Sequence, residues 1–372
     1  EEAYPHKMKF SVDKAKIMHE FQSLAAVADK KQTLPILSNI LIRCEADNIK
    51  MLSTDLHFEL EVHLQDATIT EPGETTIPAK KAADIIRELP EGKVSFELNE
   101  ESSKLTVKSS SGRYNLATIP ASDFPDFDVV KSDNIHKIQS EKLLNLFQKT
   151  SYAMASHDWR HYLNGCYFEK SGNSLNIVAT DAQRLAIYKS NLDTEGDFSG
   201  IIPRKTAVEL MKILPKQDEE IGFYINSNNV VFMSKKFTFK SKLVDSNYVN
   251  YNKSLPQGDG TKITFNRTDM INSLSRVSVL TNDKFKGVKL KSENGILDIT
   301  AFNPDQESAE EKLDATGSNT PFEIAFNVFF LKEVLSTIED DEVSLVVFGS
   351  EKPALIQTND SNLVHCLSPI LI

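Results

Sequence analysis

Three copies of one pattern run through this chain, and an internal repeat of this kind restricts the fold to an array of like units. Around Pro78 the sequence reads IPAKKAADIIRELP, around Pro203 it reads IPRKTAVELMKILP, and around Phe326 a looser copy reads AFNVFFLKEVLSTI. In the first two copies an Ile-Pro step leads into apolar residues at helical spacing. Pro78 and Pro203 suit a first helical turn, where a missing N–H costs nothing. Leu89-Pro90 and Leu214-Pro215 end these helices, because the residue before a proline avoids the α region. A second helix family shares the period. Val12, Ile138 and Phe265 fall in register, as do Ile17, Leu143 and Met270, and Phe21, Phe147 and Leu274, spaced 126 and then 127 residues apart. The spacing predicts a helix after Val12 and helical elements running from Ile138 and from Phe265.

Strand-like runs follow each helix. After the first helix of each repeat they cover 36–42, 49–53 and 58–64, then 165–169, 175–179 and 185–189, then 287–291, 297–301 and 309–314. After the second helix they cover 94–98, 105–108 and 114–119, then 221–225, 230–234 and 237–243, with 343–348 opening the third set. Asn and Gly near 48, 172–173 and 294–295 mark turns between them. Each repeat therefore reads as two copies of strand–helix–strand–strand–strand, an α+β arrangement of helices on antiparallel sheets. Polar links at 126–134 and 257–260 predict three domains, 8–130, 131–259 and 260–372. The EEAYPHK segment, 1–7, reads as a remnant outside the fold, since MKFSV resembles a natural start.

No apolar run approaches the ~20 residues of a membrane span, and no basic-then-apolar leader opens the chain. Cys44, Cys166 and Cys366 form no CxxC and read as buried free thiols in a reducing compartment. A net charge of −11 argues against nucleic acid unless the cations share one face. They gather on the helices. The windows 9–31, 79–90, 137–160, 203–216, 262–286 and 325–339 together carry about +10, leaving about −21 for everything else. Basic helices and acidic sheets predict a polyanion-facing side that contacts phosphates, carries little sequence information and weakens with salt.

The segments LPILSNILI, IPAKK, IPRK, ATIPASDFPDF, YLNGCYFE, VATDAQRLA, SKLVD, FKGV and FNPDQESAEE resemble, in order from Met8 to Ile372, the bacterial DNA polymerase III β subunit family of sliding clamps. The resemblance implies a head-to-tail homodimer of three-domain subunits. Six domains would close a ring with helices lining the hole and sheets outside. Such a ring encircles duplex DNA without reading its sequence, has no cofactor and no active site, and works in the bacterial cytoplasm at the nucleoid. It would tether the replicative polymerase α subunit, the clamp loader, and other polymerases and repair proteins carrying Gln-Leu-x-Leu-Phe-like motifs.

By the same resemblance Lys31, His157, His161, Tyr162, Arg204 and Lys205 touch DNA; the sequence alone adds Lys80, Lys81 and Arg276. A hydrophobic partner cleft between the second and third domains is implied at Leu163, Thr180, Ala182, Gln183, Arg184, Leu185, Val249, Lys253, Cys366, Ser368, Pro369 and Ile370. The chain departs from the family pattern there, with Val249 where proline is common, Lys253 where arginine is common, and an SPILI ending. For the dimer, Lys81, Arg113 and Tyr114 of one subunit would face Val279, Leu280, Asp305, Glu307 and Glu311 of the other.

Two rival readings have weaker support. Asp55, His57, Glu59, Glu61 and His63 alternate along one strand, and His157 and His161 are four apart, spacings that metal sites also use. Neither has an HExxH context or a cysteine pair, and the chain has no Walker loop, GxGxxG or GxSxG. A scaffold binding peptides alone would explain the acidic exterior but not the basic helices.

Overall fold

The computed structural model of the chain describes residues 7–28, 34–99, 101 and 103–371. Among them are six α-helices: α1 (Met18–Val27), α2 (Ala79–Glu88), α3 (Ser140–Gln148), α4 (Arg204–Ile213), α5 (Arg267–Ser278) and α6 (Val328–Ser336). A strand leads into each helix, directly or through a short 3₁₀ turn, and antiparallel strands follow it, so the strand–helix–strand–strand–strand unit recurs down the chain.

The register inferred from sequence is visible as one pair repeated three times: Val12 opposes Val94, Ile138 opposes Ile221, and Phe265 opposes Val343. Ile138 and Phe265 are thus strand residues, in His136–Gln139 and Thr261–Asn266, and the helices begin only at Ser140 and Arg267. Burial alternates along 136–139, the period of a half-buried strand. Pro78 and Pro203 likewise close the strands Gly73–Pro78 and Phe198–Pro203 one residue before the helix. With no N–H to donate, proline ends the ladder where the chain must turn inward. The run predicted from 36 opens as a 3₁₀ turn, Pro35–Ser38, before the strand Asn39–Cys44.

One hydrogen bond marks the start of each repeat. Lys14 N donates to Gly92 O at 2.8 Å, Ser140 N to Glu219 O at 2.8 Å, and Arg267 N to Asp341 O at 2.9 Å. In two repeats the side chain at that position also serves the second helix. Buried Lys14 donates its ammonium to Arg87 O and Leu89 O, and Arg267 donates to Asp340 O and Leu335 O. A cation at the carbonyl end of a helix satisfies orphan acceptors and suits the helix dipole. Part of the positive charge counted on the helices is therefore structural.

By contacts the chain forms two compact units, one combining the residues up to Glu141 with Val208–Leu243, the other Lys142–Ala207 with the residues from Val244. The first unit has a five-stranded sheet, from Thr68–Glu71 through Met8–Asp13, Lys93–Asn99 and Lys104–Lys108 to Arg113–Ala117. Its eight-stranded sheet joins four strands of the first repeat to four of the second, where Phe237–Lys242 pairs with Phe58–Leu64. Helices α1 and α2 pack together in this unit, and the rings of Phe10 and Phe21 stack on Phe96 at 4.7 and 5.9 Å. In the second unit a nine-stranded sheet joins second-repeat and third-repeat strands where Arg184–Asn191 pairs with Leu363–Leu367. A four-stranded sheet runs from Ser308–Asp314 through Ile296–Phe302 and Gly287–Glu293 to Phe322–Asn327. Met270, Leu274 and Val277 of α5 meet Leu331, Val334 and Leu335 of α6 in its core.

The alternating strand offered as a metal site is otherwise engaged. Asp55 Oδ1 accepts the N–H groups of His57 and Phe58, and Glu61 pairs with His63 at 3.3 Å. Among the described residues no group of three or more His, Cys, Asp or Glu could hold a metal ion. Glu59 is buried at the seam between the repeats, opposite Lys240, whose Nζ is 3.8 Å from its carboxylate. Burial pushes this carboxyl up to about 7, against the pull of Lys240. A carboxyl whose pKa is raised in the fold stabilises it below the ordinary Glu value of 4.5, and that contribution is lost as pH climbs towards 7. Glu59→Gln should therefore gain on the parent protein by up to ~3 kcal/mol between pH 5 and pH 8. Parallel thermal melts would show it, and a stability difference independent of pH would refute the assignment.

Candidate functional site

The tight turn 180–184 in the second unit is built by its own polar groups. Thr180 Oγ1 donates to Arg184 O at 2.7 Å, Asp181 Oδ1 accepts from Gln183 N and Arg184 N, and Ala182 takes a positive φ of 77°. The turn leaves Ala182 and Gln183 exposed and buries Thr180, Arg184 and Leu185. Arg184 is 9% exposed and held on every side. Its guanidinium meets Asp181 Oδ2 at 3.1 Å and Glu333 Oε2 at 2.9 Å, and lies over the ring of Phe330 at 4.4 Å and that of Tyr152 at 5.6 Å.

The C-terminal segment is tied to this turn. Ser368 N donates to Gln183 O at 2.7 Å and Ile370 N to Ala325 O at 2.7 Å, leaving Ser368, Pro369 and Ile370 half-buried. Leu185 opposes Cys366 across the strand pair, and both join Val178, Ile187, Tyr251, Val249 and Tyr248 in one apolar cluster. Tyr167 stacks on Tyr248 at 4.5 Å, and the Tyr251 hydroxyl donates to Glu169. Burial raises the Tyr248 and Tyr251 phenols and lifts the Cys366 thiol to about 11, so all three stay protonated near neutrality. Lys253 is exposed on the adjoining turn Tyr251–Ser254, and Leu163 is buried in the neighbouring loop.

Nine of the twelve cleft positions named from sequence thus meet in a continuous neighbourhood: Thr180, Ala182, Gln183, Arg184, Leu185, Val249, Cys366, Ser368 and Ile370. The structure adds Phe330, Tyr152, Glu333, Tyr248 and Tyr251, which sequence reasoning passed over. The double Phe of AFNVFFLKEVL was the available signal, since it places one ring more than the helix core can take. Phe329 is 44% exposed while Phe330 faces Arg184.

The DNA-contact candidates divide into two kinds. Lys31 lies outside the described residues. Lys80 and Lys81 are exposed in the first turn of α2, and Arg204 and Lys205 open α4; neither first turn holds an acidic residue. Cations at a helix N-terminus oppose the dipole, by ~0.3–1 kcal/mol each, so they are not there to stabilise the helix. His157 and His161 are exposed and Tyr162 half-buried in the loop that Arg204 anchors by donating to Met154 O and Ala155 O. Arg276 differs, because its Nε lies 2.8 Å from Glu311 Oε1 and its charge is matched within the subunit.

The remaining candidates lie on or beside sheet edges. Arg113 and Tyr114, both exposed, open the edge strand Arg113–Ala117. The acidic strand Ser308–Asp314, with Glu311, is the edge of the four-stranded sheet, and exposed Asp305 and Glu307 lie in the turn before it. Val279 is 77% exposed and Leu280 half-buried after α5.

Removal of the Arg184 guanidinium leaves Asp181, largely buried, and Glu333, about half exposed, without their cation. Arg184→Ala should cost about 1–3 kcal/mol of stability. A denaturant-unfolding midpoint indistinguishable from the parent's would show that the network contributes nothing.

Three family models match the chain in succession: the N-terminal domain of the DNA polymerase III beta subunit over residues 8–128, its central domain over 137–250, and its C-terminal domain over 252–370. The beta sliding clamp of Pseudomonas aeruginosa is 36% identical over 359 residues, covering 95% of this chain and 97% of that protein. A crystal structure of the sliding clamp of that organism bound to griselimycin superposes with a TM-score of 0.92 at 34% identity, over 98% of this chain and 100% of that one. The Bartonella birtlesii clamp, also bound to griselimycin, gives 0.93 at 31% identity, over 99% of this chain and 100% of that one. The chain belongs to the DNA polymerase III beta subunit family, the beta sliding clamps.

Proposed function

We propose that this chain is the processivity clamp of a bacterial replicase, a non-catalytic subunit that closes as a head-to-tail homodimer around duplex DNA. The observation that carries the reading is the match of all three beta-subunit domains, in order, along one chain. In this reading the boundaries 8–130, 131–259 and 260–372 are the three clamp domains. Retention is topological: a ring needs no base contact, so weak phosphate contacts are compatible with long residence on DNA.

The cations at the starts of α2 and α4, with His157, His161 and Tyr162, are assigned to the DNA side. Arg276 is left out because Glu311 already holds it. Two edge strands of opposite charge support the dimer assignment. Arg113 heads one and the acidic SAEEKLD segment forms the other, so pairing them between subunits extends both sheets and removes exposed edges. The apolar neighbourhood of Leu185, Val249, Tyr251 and Cys366, bordered by Arg184 and the C-terminal segment, is assigned as the pocket for short partner motifs. Apolar anchors with a few polar guides suit a Gln-Leu-x-Leu-Phe segment.

Two experiments test these assignments. A labelled Gln-Leu-Ser-Leu-Phe peptide should bind saturably in fluorescence polarisation and lose most of its affinity when the chain ends at Leu367; equal binding by both forms would remove the C-terminal segment from the pocket. Clamp loaded on nicked circular DNA should remain through gel filtration and be lost on linearisation. Arg204→Glu with Lys205→Glu should reduce loading several-fold and increase its salt sensitivity, and normal loading would remove these residues from the DNA side.

A further inference from the structure

Trp159 is the only tryptophan in the chain, and it is 82% exposed. It lies in the loop 156–164, whose shape is fixed by its own side chains. Arg160 and Asp158 form a two-pronged pair, Nε to Oδ1 at 3.0 Å and Nη2 to Oδ2 at 3.1 Å. Asn164 closes the loop from the other side, accepting from Asp158 N at 3.0 Å and donating to Asp158 O at 2.8 Å. His157 takes the left-handed φ of 58° that the reversal requires. The loop is also bonded to the start of α4, where Arg204 N donates to Asn164 O at 2.9 Å. The indole is therefore held in water by a rigid support. Arg160 lies beside one face, its guanidinium carbon 5.6 Å from the ring centroid, and the high exposure leaves the rest of the indole open.

An open indole next to a cationic helix start is the chemistry that receives an unstacked nucleic-acid base: the ring supplies a stacking surface and the positive end of α4 attracts the adjoining phosphates, while Arg160, matched by Asp158, holds the loop in shape. A duplex interior offers no free base face, whereas a single strand beside a duplex end does. We propose that Trp159 is a stacking platform for unpaired bases, giving this clamp a contact with the single-stranded part of a primed template in addition to its sequence-independent hold on duplex. This rests on the DNA-side assignment of the loop made above.

The lone indole is its own reporter, because tryptophan fluorescence of the full-length protein comes from this position alone. Oligo-dT titrated at low salt should quench that fluorescence strongly, and blunt duplex of the same length should not. Trp159→Ala should weaken binding of labelled oligo-dT about tenfold, Trp159→Phe should retain most of it, and the melting transition should be unchanged because the side chain is exposed. Quenching by duplex equal to that by oligo-dT overturns the platform. So does an unaltered affinity in Trp159→Ala. If the partner peptide changes the fluorescence and oligo-dT does not, the indole serves protein contacts and the proposal is wrong. Retention of loaded Trp159→Ala clamp on nicked circles separates the two levels: retention with lost oligo-dT binding supports the platform, while failure of the parent protein to be retained would fault the clamp reading itself.

Discussion

The structure depends on main-chain hydrogen bonding between strands of different repeats. Phe237–Lys242 pairs with Phe58–Leu64, and Arg184–Asn191 pairs with Leu363–Leu367, so the sheets continue through the points where sequence repeats meet. An isolated repeat would leave those edges open, each a row of unpaired donors and acceptors. The second repeat is shared accordingly: its strands 220–242 belong with first-repeat strands in one compact unit, and its strands 165–203 belong with third-repeat strands in the other. Backbone pairing tolerates many side chains, which explains how relatives at 31–36% identity share the same fold.

The neighbourhood of Arg184, Leu185 and Cys366, proposed above as the partner pocket, is a consequence of the second seam. Once Arg184 opposes Leu367 and Leu185 opposes Cys366, the turn 180–184 and the chain leaving Leu367 must lie side by side. The hydrogen bond from Ser368 N to Gln183 O then fixes the departing segment. Arg184 extends the join to α6 through Glu333 and Phe330. A nearly buried guanidinium is costly unless each of its donors is met, and here two carboxylates and two ring faces meet it. His365 completes the surroundings with its Nδ1 2.6 Å from the Tyr152 hydroxyl, and burial holds it down to about 4, neutral at physiological pH.

Much of this architecture was legible in the sequence because repetition supplies its own control. The spacing of 126 and 127 residues located equivalent positions that structure shows as equivalent cross-strand pairs. What sequence misjudged was local. Ile138 and Phe265 looked like first residues of helices because their apolar neighbours follow at helical spacing, but pairing with Ile221 and Val343 makes them strand residues. Nine of the positions that the resemblance named lie together in the structure. Tyr152, Phe330 and Glu333 were not legible, because they meet Arg184 from distant parts of the chain, 149 residues away in the case of Glu333. The ion pair of Arg276 with Glu311 was hidden similarly, since a count of charges cannot show which charges are already matched.

The helix cations illustrate why placement decides more than number. Lys14 and Arg267 bond the carbonyl ends of α2 and α6, where the dipole favours them, and their removal would be felt as lost stability. Lys80, Lys81, Arg204 and Lys205 occupy first turns, where the backbone N–H groups already present partial positive charge. There each side chain raises a potential that the helix itself resists. The α4 start is partly occupied already, since Arg204 donates its guanidinium to Met154 O and Ala155 O and its N–H to Asn164 O. The same sequence count therefore mixes cations at carbonyl ends, which the dipole favours, with cations at helix starts, which it does not.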